Sequence, residues 1–277
     1  GGLGLLHQAM GDLEGARPLL ERSLAIREES LGADHPGTAT GWNNLGILLQ
    51  ATGDLPGSRR CLDRCLSIRE KSLGASHPDT ATCLNNMAFV LERGGDLEES
   101  RRLYERVLEI REETLGARHP LTSNGLNNLA LLLQRLGDVE GARSRLVRVV
   151  ELSECALGPD HPETATYRNN LARLLATQGD VDAARPLFER AWNAHRSAVH
   201  VLLPVLPLAQ RIPLMRSRAV SLECFLQGFE GQGAVTYEAV LAWKGAALRA
   251  TAAQMRLPAD VSKEVAAAAE QLADARR

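Results

Sequence analysis

The chain has 277 residues, of which 44% are hydrophobic and 24% are charged, an ordinary composition for a globular protein in water. Its formal net charge of -2 argues against a nucleic-acid partner held by excess positive charge. No signal peptide and no apolar run of transmembrane length is visible, so we expect no membrane partner and a cytoplasmic protein. The basic residues are nearly all Arg, which favours a bacterial source with a GC-rich genome.

Two short motifs, Gly-Asp and His-Pro, recur every 42 residues. Gly-Asp pairs occur at this spacing at Gly11, Gly53, Gly95, Gly137 and Gly179. His-Pro pairs occur at the same spacing at His35, His77, His119 and His161. Each Pro suits the first position of a helix, so every unit predicts a helix A that begins at His-Pro and ends at Gly-Asp. A helix B follows, as over Leu97–Leu115, and ends at a Leu-Gly whose glycine suits a left-handed cap.

Small and large residues recur at the phases where the two helices of a unit would meet. Helix A carries a large residue followed by Gly or Ala, as in Leu129-Ala130, and helix B carries a small residue four positions before a large one, as in Ser100 and Tyr104. Small residues let two helix backbones approach each other. The regular Gly and Pro residues exclude a continuous coiled coil, and too few β-branched and aromatic residues occur for propeller blades. The pattern predicts an all-α array of helix pairs.

This pattern resembles tetratricopeptide repeats (TPR) whose unit is extended from about 34 residues to 42. The stretch VLEIREETLGARHPLTSNGLNNLA is similar to the repeats of kinesin light chains and their bacterial relatives. The resemblance covers residues 1–198, with a truncated first repeat. It implies a right-handed superhelical solenoid of antiparallel helix pairs with a concave groove, and it does not make the chain a motor subunit.

Residues 199–277 lack the Gly-Asp and His-Pro motifs of the repeat. We predict that they form a second segment of additional helices. The sequence favours three helical stretches there, near 208–228, 234–255 and 259–277. The stretch TYEAVLAWKGAALRA at 236–250 resembles the helical region that precedes CHAT domains, which are caspase-like cysteine peptidase domains. That resemblance implies catalytic residues after residue 277, so we assign none within this chain.

We interpret the periodic histidines and the cysteines as structural. The histidines form a ladder with one member per unit, spaced too widely for a single metal ion, so we place them at the start of helix A. Cys61 and Cys65 occupy phases that hold small or apolar residues in other units, which predicts core positions, and five cysteines do not make a disulfide framework. Cys155 falls at a surface phase. We therefore expect no metal and no cofactor.

The charged residues of helix B are interpreted as a solvated face. Carboxylates adjoin arginines, as in Arg27-Glu28 and Arg111-Glu112, at phases predicted to face water. Ion pairs on such a surface contribute little to stability. The chain carries no phosphate-binding glycine loop and no catalytic constellation, so we expect it not to be an enzyme.

Paired asparagines in helix A are the main candidates for recognition. Asn is a mediocre helix former, so its return in the middle of every helix A requires a reason. The resemblance implies that the first Asn of each pair faces the groove and hydrogen-bonds the backbone of a bound peptide, whereas we assign the second mainly to ties between neighbouring helices. We expect Asn85→Ala with Asn127→Ala to weaken partner binding and to leave the melting curve nearly unchanged. With neighbouring groove phases included, the predicted site is Asn43, Asn85, Asn127, Asn169, Gln50, Phe89, Leu131, Gln134, Arg93, Arg135 and Arg173.

The leading hypothesis is a protein–protein interaction scaffold that binds a protein or an extended peptide in the concave groove. Arg135 or Arg173 could pair with an acidic residue of such a ligand. The alternative is a sensor or regulatory arm of a TPR-CHAT cysteine peptidase whose catalytic domain lies beyond residue 277. The two hypotheses are compatible, and only the second involves catalysis.

Overall fold

The computed structural model describes residues 12–202 with Gly2 and Gly4, and describes side chains in that stretch as far as residue 195. This part of the chain forms nine α-helices and no strand. The helices are α1 (Leu13–Leu31), α2 (Pro36–Ala51), α3 (Leu55–Leu73), α4 (Pro78–Gly94), α5 (Leu97–Leu115), α6 (Pro120–Leu136), α7 (Val139–Leu157), α8 (Pro162–Thr177) and α9 (Val181–Leu202). The helices predicted after residue 202, including the stretch at 236–250, lie outside the described residues, as does most of the truncated first repeat.

The predicted Pro and Gly residues lie at the beginnings and ends of the helices, as expected. Each helix A begins at its Pro, and helix B over Leu97–Leu115 has the predicted bounds. Gly116 follows that helix with a φ of 86°, and Gly95 follows α4 in the left-handed region with a φ of 92°. A residue without a Cβ adopts such angles at little cost, which explains the glycine at both helix ends.

The described part of the chain divides into two compact units, one that ends at Arg145 and one that begins at Leu146. In the first unit each described helix packs on the next, as α2 does on α3 and α4 on α5. The small residues lie at these crossings, where Ser58 Oγ donates to the carbonyl of Gly46 at 2.7 Å and Ser100 Oγ donates to that of Ala88 at 2.8 Å. In the second unit α8 packs on α9. The predicted all-α arrangement of helix pairs is therefore confirmed.

The arginines of helix B correct the prediction of a solvated charged face. Arg69 and Arg111 are only 6% and 3% exposed. Arg111 Nη1 donates to the carbonyl of Leu121 at 2.8 Å, Arg69 Nη1 donates to that of Asp79, and the partly buried Arg27 donates to that of Gly37. A guanidinium on a long stem reaches across to the first turn of the following helix A, where backbone carbonyls accept its hydrogen bonds. Burial lowers the pKa of both Arg69 and Arg111.

The second unit makes an equivalent link from the opposite helix. Ser153 stands at the position of the buried arginines, and Arg168 of α8, which is 3% exposed, supplies a guanidinium in its place. Arg168 Nη2 pairs with Glu154 Oε1 at 2.7 Å, and its Nη1 donates to the carbonyl of Pro159. A buried arginine therefore links helix B to the first turn of the next helix A in the first unit, and links the middle of helix A to helix B and to the loop between them in the second.

None of the helices in the described part of the chain is long and apolar enough to cross a membrane.

Candidate functional site

One face of each helix A remains accessible after the helices have packed. In α4, Leu84, Met87 and Leu91 are buried, whereas Asn85 and Phe89 are only partly buried. Residues three to four positions apart share a helix face, so this partly accessible side is continuous along α4. The same phases are partly accessible in α6. We call this set the amide stripe, and it consists of Asn85, Phe89 and Glu92 in α4 with Asn127, Leu131 and Gln134 in α6.

The other predicted site residues differ in their exposure. In α2, Gln50 is partly buried, but Asn43 is only 7% exposed. Arg93 and Arg135 are exposed at the ends of α4 and α6. In the second unit, described by itself, Arg173 of α8 is partly buried and Asn169 is 7% exposed. The first Asn of a pair is therefore not always open to a ligand.

The asparagine pairs join neighbouring repeats through their side chains. Asn86 Nδ2 in α4 donates to Asn43 Oδ1 in α2 at 2.9 Å. Asn128 Nδ2 in α6 donates to Asn85 Oδ1 in α4 at 3.3 Å. Each bond runs from the second Asn of one unit to the first Asn of the preceding unit. The predicted structural role of the second Asn is confirmed, and the first Asn shares it, because its carbonyl oxygen is the acceptor.

An ion pair with the same spacing lies about two turns further along these helices. Arg135 Nη1 is 2.6 Å from Glu92 Oε1, and the Glu92 side chain is only 15% exposed. Arg135 therefore already has a carboxylate partner within the protein, and its contact with an acidic ligand stays a prediction. Periodicity identified the phase of Arg135, but only the structure shows which side chain lies beside it.

Tyr104 of α5 adds a buried hydroxyl near the same carboxylate. The side chain is 0% exposed, and its hydroxyl lies near Glu92 without meeting hydrogen-bond geometry. Burial, reinforced by the negative charge of Glu92, raises the pKa of Tyr104 above its usual range. The tyrosine is thus a neutral core residue at neutral pH.

A comparison with protein families identifies the repeat. The model for the tetratricopeptide repeat matches residues 1–56, 38–113, 84–154 and 121–197, which together cover more than half of the chain. The chain belongs to the tetratricopeptide repeat family. A comparison with functionally curated proteins gives no significant match.

Several solved structures resemble the chain at low sequence identity. A protein from Podosopora anserina described as a kinesin light chain with nearly identical TPR-like repeats is 26% identical, covers 71% of this chain and 93% of its own, and has a TM-score of 0.61. BtubC (BKLC) from P. vanneervenii is 19% identical over 95% of this chain and 91% of its own, with a TM-score of 0.61. The apo form of RapI is 15% identical over 90% and 94%, with a TM-score of 0.60. The last two show the fold alone.

The periodic histidines cap the A helices of the TPR units. His35 Nδ1 accepts a hydrogen bond from the backbone N–H of Gly37 at 3.0 Å, and His77, His119 and His161 repeat this contact at 3.1 to 3.2 Å. A ring nitrogen that accepts a backbone N–H satisfies a donor that the first helical turn leaves open. The predicted position at the start of helix A is confirmed.

The cysteines of the TPR array lie mostly in its core. Cys61 is buried, and burial raises the pKa of its thiol to about 11. Cys65 of α3 and Cys83 of α4 are also buried, which agrees with the predicted core positions. The two residues form a disulfide, which the sequence analysis did not predict. Their two phases face each other across the helix crossing. Cys155 is exposed, as predicted, and the described residues contain no cluster of three or more metal-binding side chains.

An apolar cleft lies away from the amide stripe, at the end of α4. Its volume is about 300 Å³. It borders Gly94, which stands where the next unit has Leu136. The lining residues are Leu55, Pro56, Arg59, Val90, Leu91, Gly94 and Asp96.

Proposed function

We propose that the chain is a scaffold that binds a partner protein through an extended peptide segment lying along the amide stripe. TPR repeats generally mediate protein–protein interactions. The observation that carries the proposal is the partly accessible row of amide, aromatic and aliphatic side chains on α4 and α6. A peptide needs both hydrogen-bonding groups for its main chain and apolar contacts for its side chains, and this row offers both.

The apolar members of the stripe supply the side-chain contacts in this proposal. Phe89 in α4 and Leu131 in α6 occupy the same phase of consecutive repeats, and both are only partly buried. Covering the exposed part of each removes apolar surface from water, at about 25 cal/mol per Å². Aromatic residues at such positions often dominate binding energy, so Phe89 is the proposed anchor.

The charges near the stripe favour a ligand that need not be acidic. Arg135 is compensated by Glu92, so an acidic ligand residue would have to compete with an existing ion pair. Arg93 and Arg173 form no ion pair with another residue in the described part of the chain. They remain proposed contacts, Arg93 at the end of α4 and Arg173, in the second unit, at the phase of α8 that Phe89 and Leu131 hold in their own helices. Gln50 and Gln134 are proposed contacts as well, because their amides can donate and accept.

The two-part organisation and the regulatory alternative stay proposals. Residues 1–198 form the proposed TPR binding array, and 199–277 a helical segment after it. The alternative, a sensor arm of a caspase-like peptidase, is supported by the resemblance at 236–250, which lies outside the described residues. The test is to read the gene past the codon for Arg277. A downstream domain without a catalytic His and Cys would contradict that alternative.

Selection from a peptide library tests the binding proposal. The full chain would be immobilised and offered a phage-displayed library of random 12-residue peptides, and the most enriched sequence synthesised with a fluorescent label. We expect Phe89→Ala and Leu131→Ala to weaken its binding by about fivefold or more, measured by fluorescence anisotropy. Arg102→Ala is the matched control, because Arg102 is 71% exposed on helix B, away from the stripe. No enriched peptide, or equal affinity for the stripe variants and the wild type, would overturn the proposal.

A further inference from the structure

The apolar cleft at the end of α4 contains two charged side chains of opposite sign. Its volume is about 300 Å³, and its apolar walls come from the beginning of α3 and the end of α4: Leu55, Pro56, Val90 and Leu91. Arg59 and Asp96 line the same cleft. Both residues are exposed, and neither side chain forms a hydrogen bond or an ion pair with another residue in the described part of the chain. The cleft therefore offers apolar surface together with one cation and one anion that remain open to a partner.

The Asp96 carboxylate is open because α5 has Glu99 where the B helices α1, α3 and α7 have Gly. Before α3, Asp54 accepts a hydrogen bond from the backbone N–H of Gly57 at 2.8 Å, and a Cβ at Gly57 would lie 2.3 Å from its carboxylate. A residue with a Cβ therefore crowds this capping contact. The equivalent bond lengthens to 3.2 Å at Ala183, and it is absent at Glu99. The carboxylate of Asp96 is thus not used to cap its own helix.

The Arg59 guanidinium is open because α3 lacks the glutamates that pair with its equivalents. Those equivalents lie 42 residues before and after it, and each pairs with a glutamate of its own helix: Arg17 with Glu21 at 2.9 Å and Arg101 with Glu98 at 3.1 Å. In α3, the uncharged Pro56 stands at the position of Glu98, and Asp63, whose side chain is shorter, stands at that of Glu21. Neither residue supplies Arg59 with a carboxylate within ion-pair distance.

We propose that this cleft is a docking site for a partner protein segment that carries one large apolar side chain between a basic and an acidic residue. The apolar side chain fills the cleft, the basic residue pairs with Asp96, and the acidic residue pairs with Arg59. This site is additional to the proposed binding along the amide stripe and does not depend on it.

The cleft and the amide stripe use different faces of α4. Val90 and Leu91 line the cleft, whereas Phe89 and Glu92 belong to the stripe. Consecutive residues of a helix point in different directions, so a ligand on one face does not contact the side chains of the other. A partner held in the cleft therefore leaves the stripe available.

The size and the charges of the cleft define the partner chemistry. Its volume of about 300 Å³ is at the lower end of the range for ligand sites, which suits a single side chain rather than a large cofactor. Covering the apolar walls removes their exposed surface from water, which supplies affinity. The two opposite charges supply specificity, because a segment with charges of one sign would meet one like charge.

The next unit does not offer the same pair of charges. At the corresponding place, Arg101 is already paired with Glu98, and Asp138 accepts a capping hydrogen bond from the N–H of Gly141 at 2.9 Å. Both groups would have to leave an existing partner before they contacted a ligand. The described residues of the first unit therefore favour the cleft between α3 and α4 over its counterpart one repeat later.

Selection against a protein with a disabled stripe tests the docking site. The bait is the full chain with Phe89→Ala and Leu131→Ala, and circular dichroism confirms that this double variant is folded. It is offered a phage-displayed library of random 12-residue peptides, and the most enriched sequence is synthesised with a fluorescent label. We expect that sequence to contain one large apolar residue between a basic and an acidic residue. Replacing its apolar residue by Ala should weaken binding about tenfold or more, since the burial of such a side chain is lost.

Substitutions of the two charged residues, added to the double variant, locate the bound peptide. Asp96→Asn and Arg59→Gln should each weaken binding by about two- to fivefold in fluorescence anisotropy, the range for an ion pair that stays partly exposed. The matched controls are Glu109→Gln and Arg60→Gln, since both residues are exposed and neither lines the cleft. A peptide whose basic residue is changed to Glu should bind Asp96→Lys more tightly than the original peptide does.

The outcomes separate this site from binding along the stripe. Loss of affinity in Asp96→Asn and Arg59→Gln, with recovery after the charge exchange, supports the docking site. A selection that enriches no peptide, or a peptide that binds both cleft variants as tightly as the double variant, overturns it. A loss that the charge exchange does not recover overturns the assigned pairing with Asp96. Each of these negative results leaves the stripe proposal standing, because that proposal is tested with the unsubstituted chain.

Discussion

Asn128 of α6 donates a hydrogen bond to the side-chain oxygen of Asn85 in α4 at 3.3 Å. The two residues are 43 positions apart, one more than the repeat length, so the bond joins the second Asn of one unit to the first Asn of the unit before it. Removing Asn85 therefore removes a contact between repeats as well as a proposed contact to a ligand. The expectation that Asn85→Ala with Asn127→Ala would leave the melting curve nearly unchanged needs revision.

We predict that Asn85→Ala and Asn128→Ala each lower the free energy of unfolding, and that their effects are coupled. A typical hydrogen bond contributes about 0.5–1.5 kcal/mol, so the double variant should lose less than the sum of the single losses by a similar amount. Urea unfolding followed by circular dichroism measures all four proteins. Arg102→Ala, at a position with a 71% exposed side chain, is the control and should change little. Strictly additive losses would show that the Asn–Asn bond contributes nothing.

We predict that Arg111→Met lowers the free energy of unfolding by about 1.5–3 kcal/mol, the range for a hydrogen bond to a charged group. Arg111 is 3% exposed and donates to the carbonyl of Leu121, which the thioether of Met cannot satisfy. Met retains most of the apolar stem, so the loss reports the guanidinium rather than a cavity. Arg102→Met is the matched control, and equal effects of the two substitutions would contradict the assigned role.

The repeat pattern predicted the helices, their ends and the core phases, because each depends on local chemistry. Pro120 begins α6, His119 caps it and Gly116 ends the helix before it, all within a few residues of one another. The sequence could not predict that Arg111 is buried, because a phase analysis places the Cα and not the end of a long side chain. It also missed the Glu92–Arg135 contact, because that depends on the distance between two repeats.

The same limit applies to the candidate site. Periodicity placed Asn85, Phe89 and Leu131 on one face, and the structure leaves all three partly accessible. It could not show that Asn43 is nearly buried or that the carbonyl of Asn85 is already an acceptor. Those facts depend on how closely neighbouring A helices approach, and a repeat period alone does not fix that distance.

We predict that alkaline pH destabilises the protein in part through Tyr104. Tyrosine in an unfolded chain titrates near pH 10, roughly, whereas burial raises the folded-state pKa of Tyr104 above its usual range. The stability linked to this neutral phenol is therefore complete below the unfolded pKa and is lost as the pH rises beyond it. Urea unfolding at a series of pH values from neutral to strongly alkaline should show a shallower decline for Tyr104→Phe than for the wild type.

Tyr167 provides the comparison for this pH effect. Burial raises the pKa of Tyr167 to about 12, so Tyr167→Phe should also reduce the alkaline loss. For both substitutions, the difference in the free energy of unfolding from the wild type should be smaller at neutral pH than at high pH, where the wild type would form a buried phenolate. If the free energy of unfolding falls equally steeply with rising pH in the wild type and in Tyr104→Phe, burial does not protect the Tyr104 phenol from ionisation.

We predict opposite effects of alanine at the adjacent residues Gly94 and Gly95. Gly94 is the last residue of α4, and a Cβ there would meet nothing within 4 Å, so Gly94→Ala should raise the free energy of unfolding by about 0.5–1 kcal/mol. Gly95 has a φ of 92°, so Gly95→Ala should lower it by about 1–2 kcal/mol. Thermal unfolding of both variants measures the contrast, and each is the other's control for the loss of a glycine. Stabilisation by Gly95→Ala would contradict the left-handed cap, and destabilisation by Gly94→Ala would contradict the gain expected from a less flexible unfolded chain.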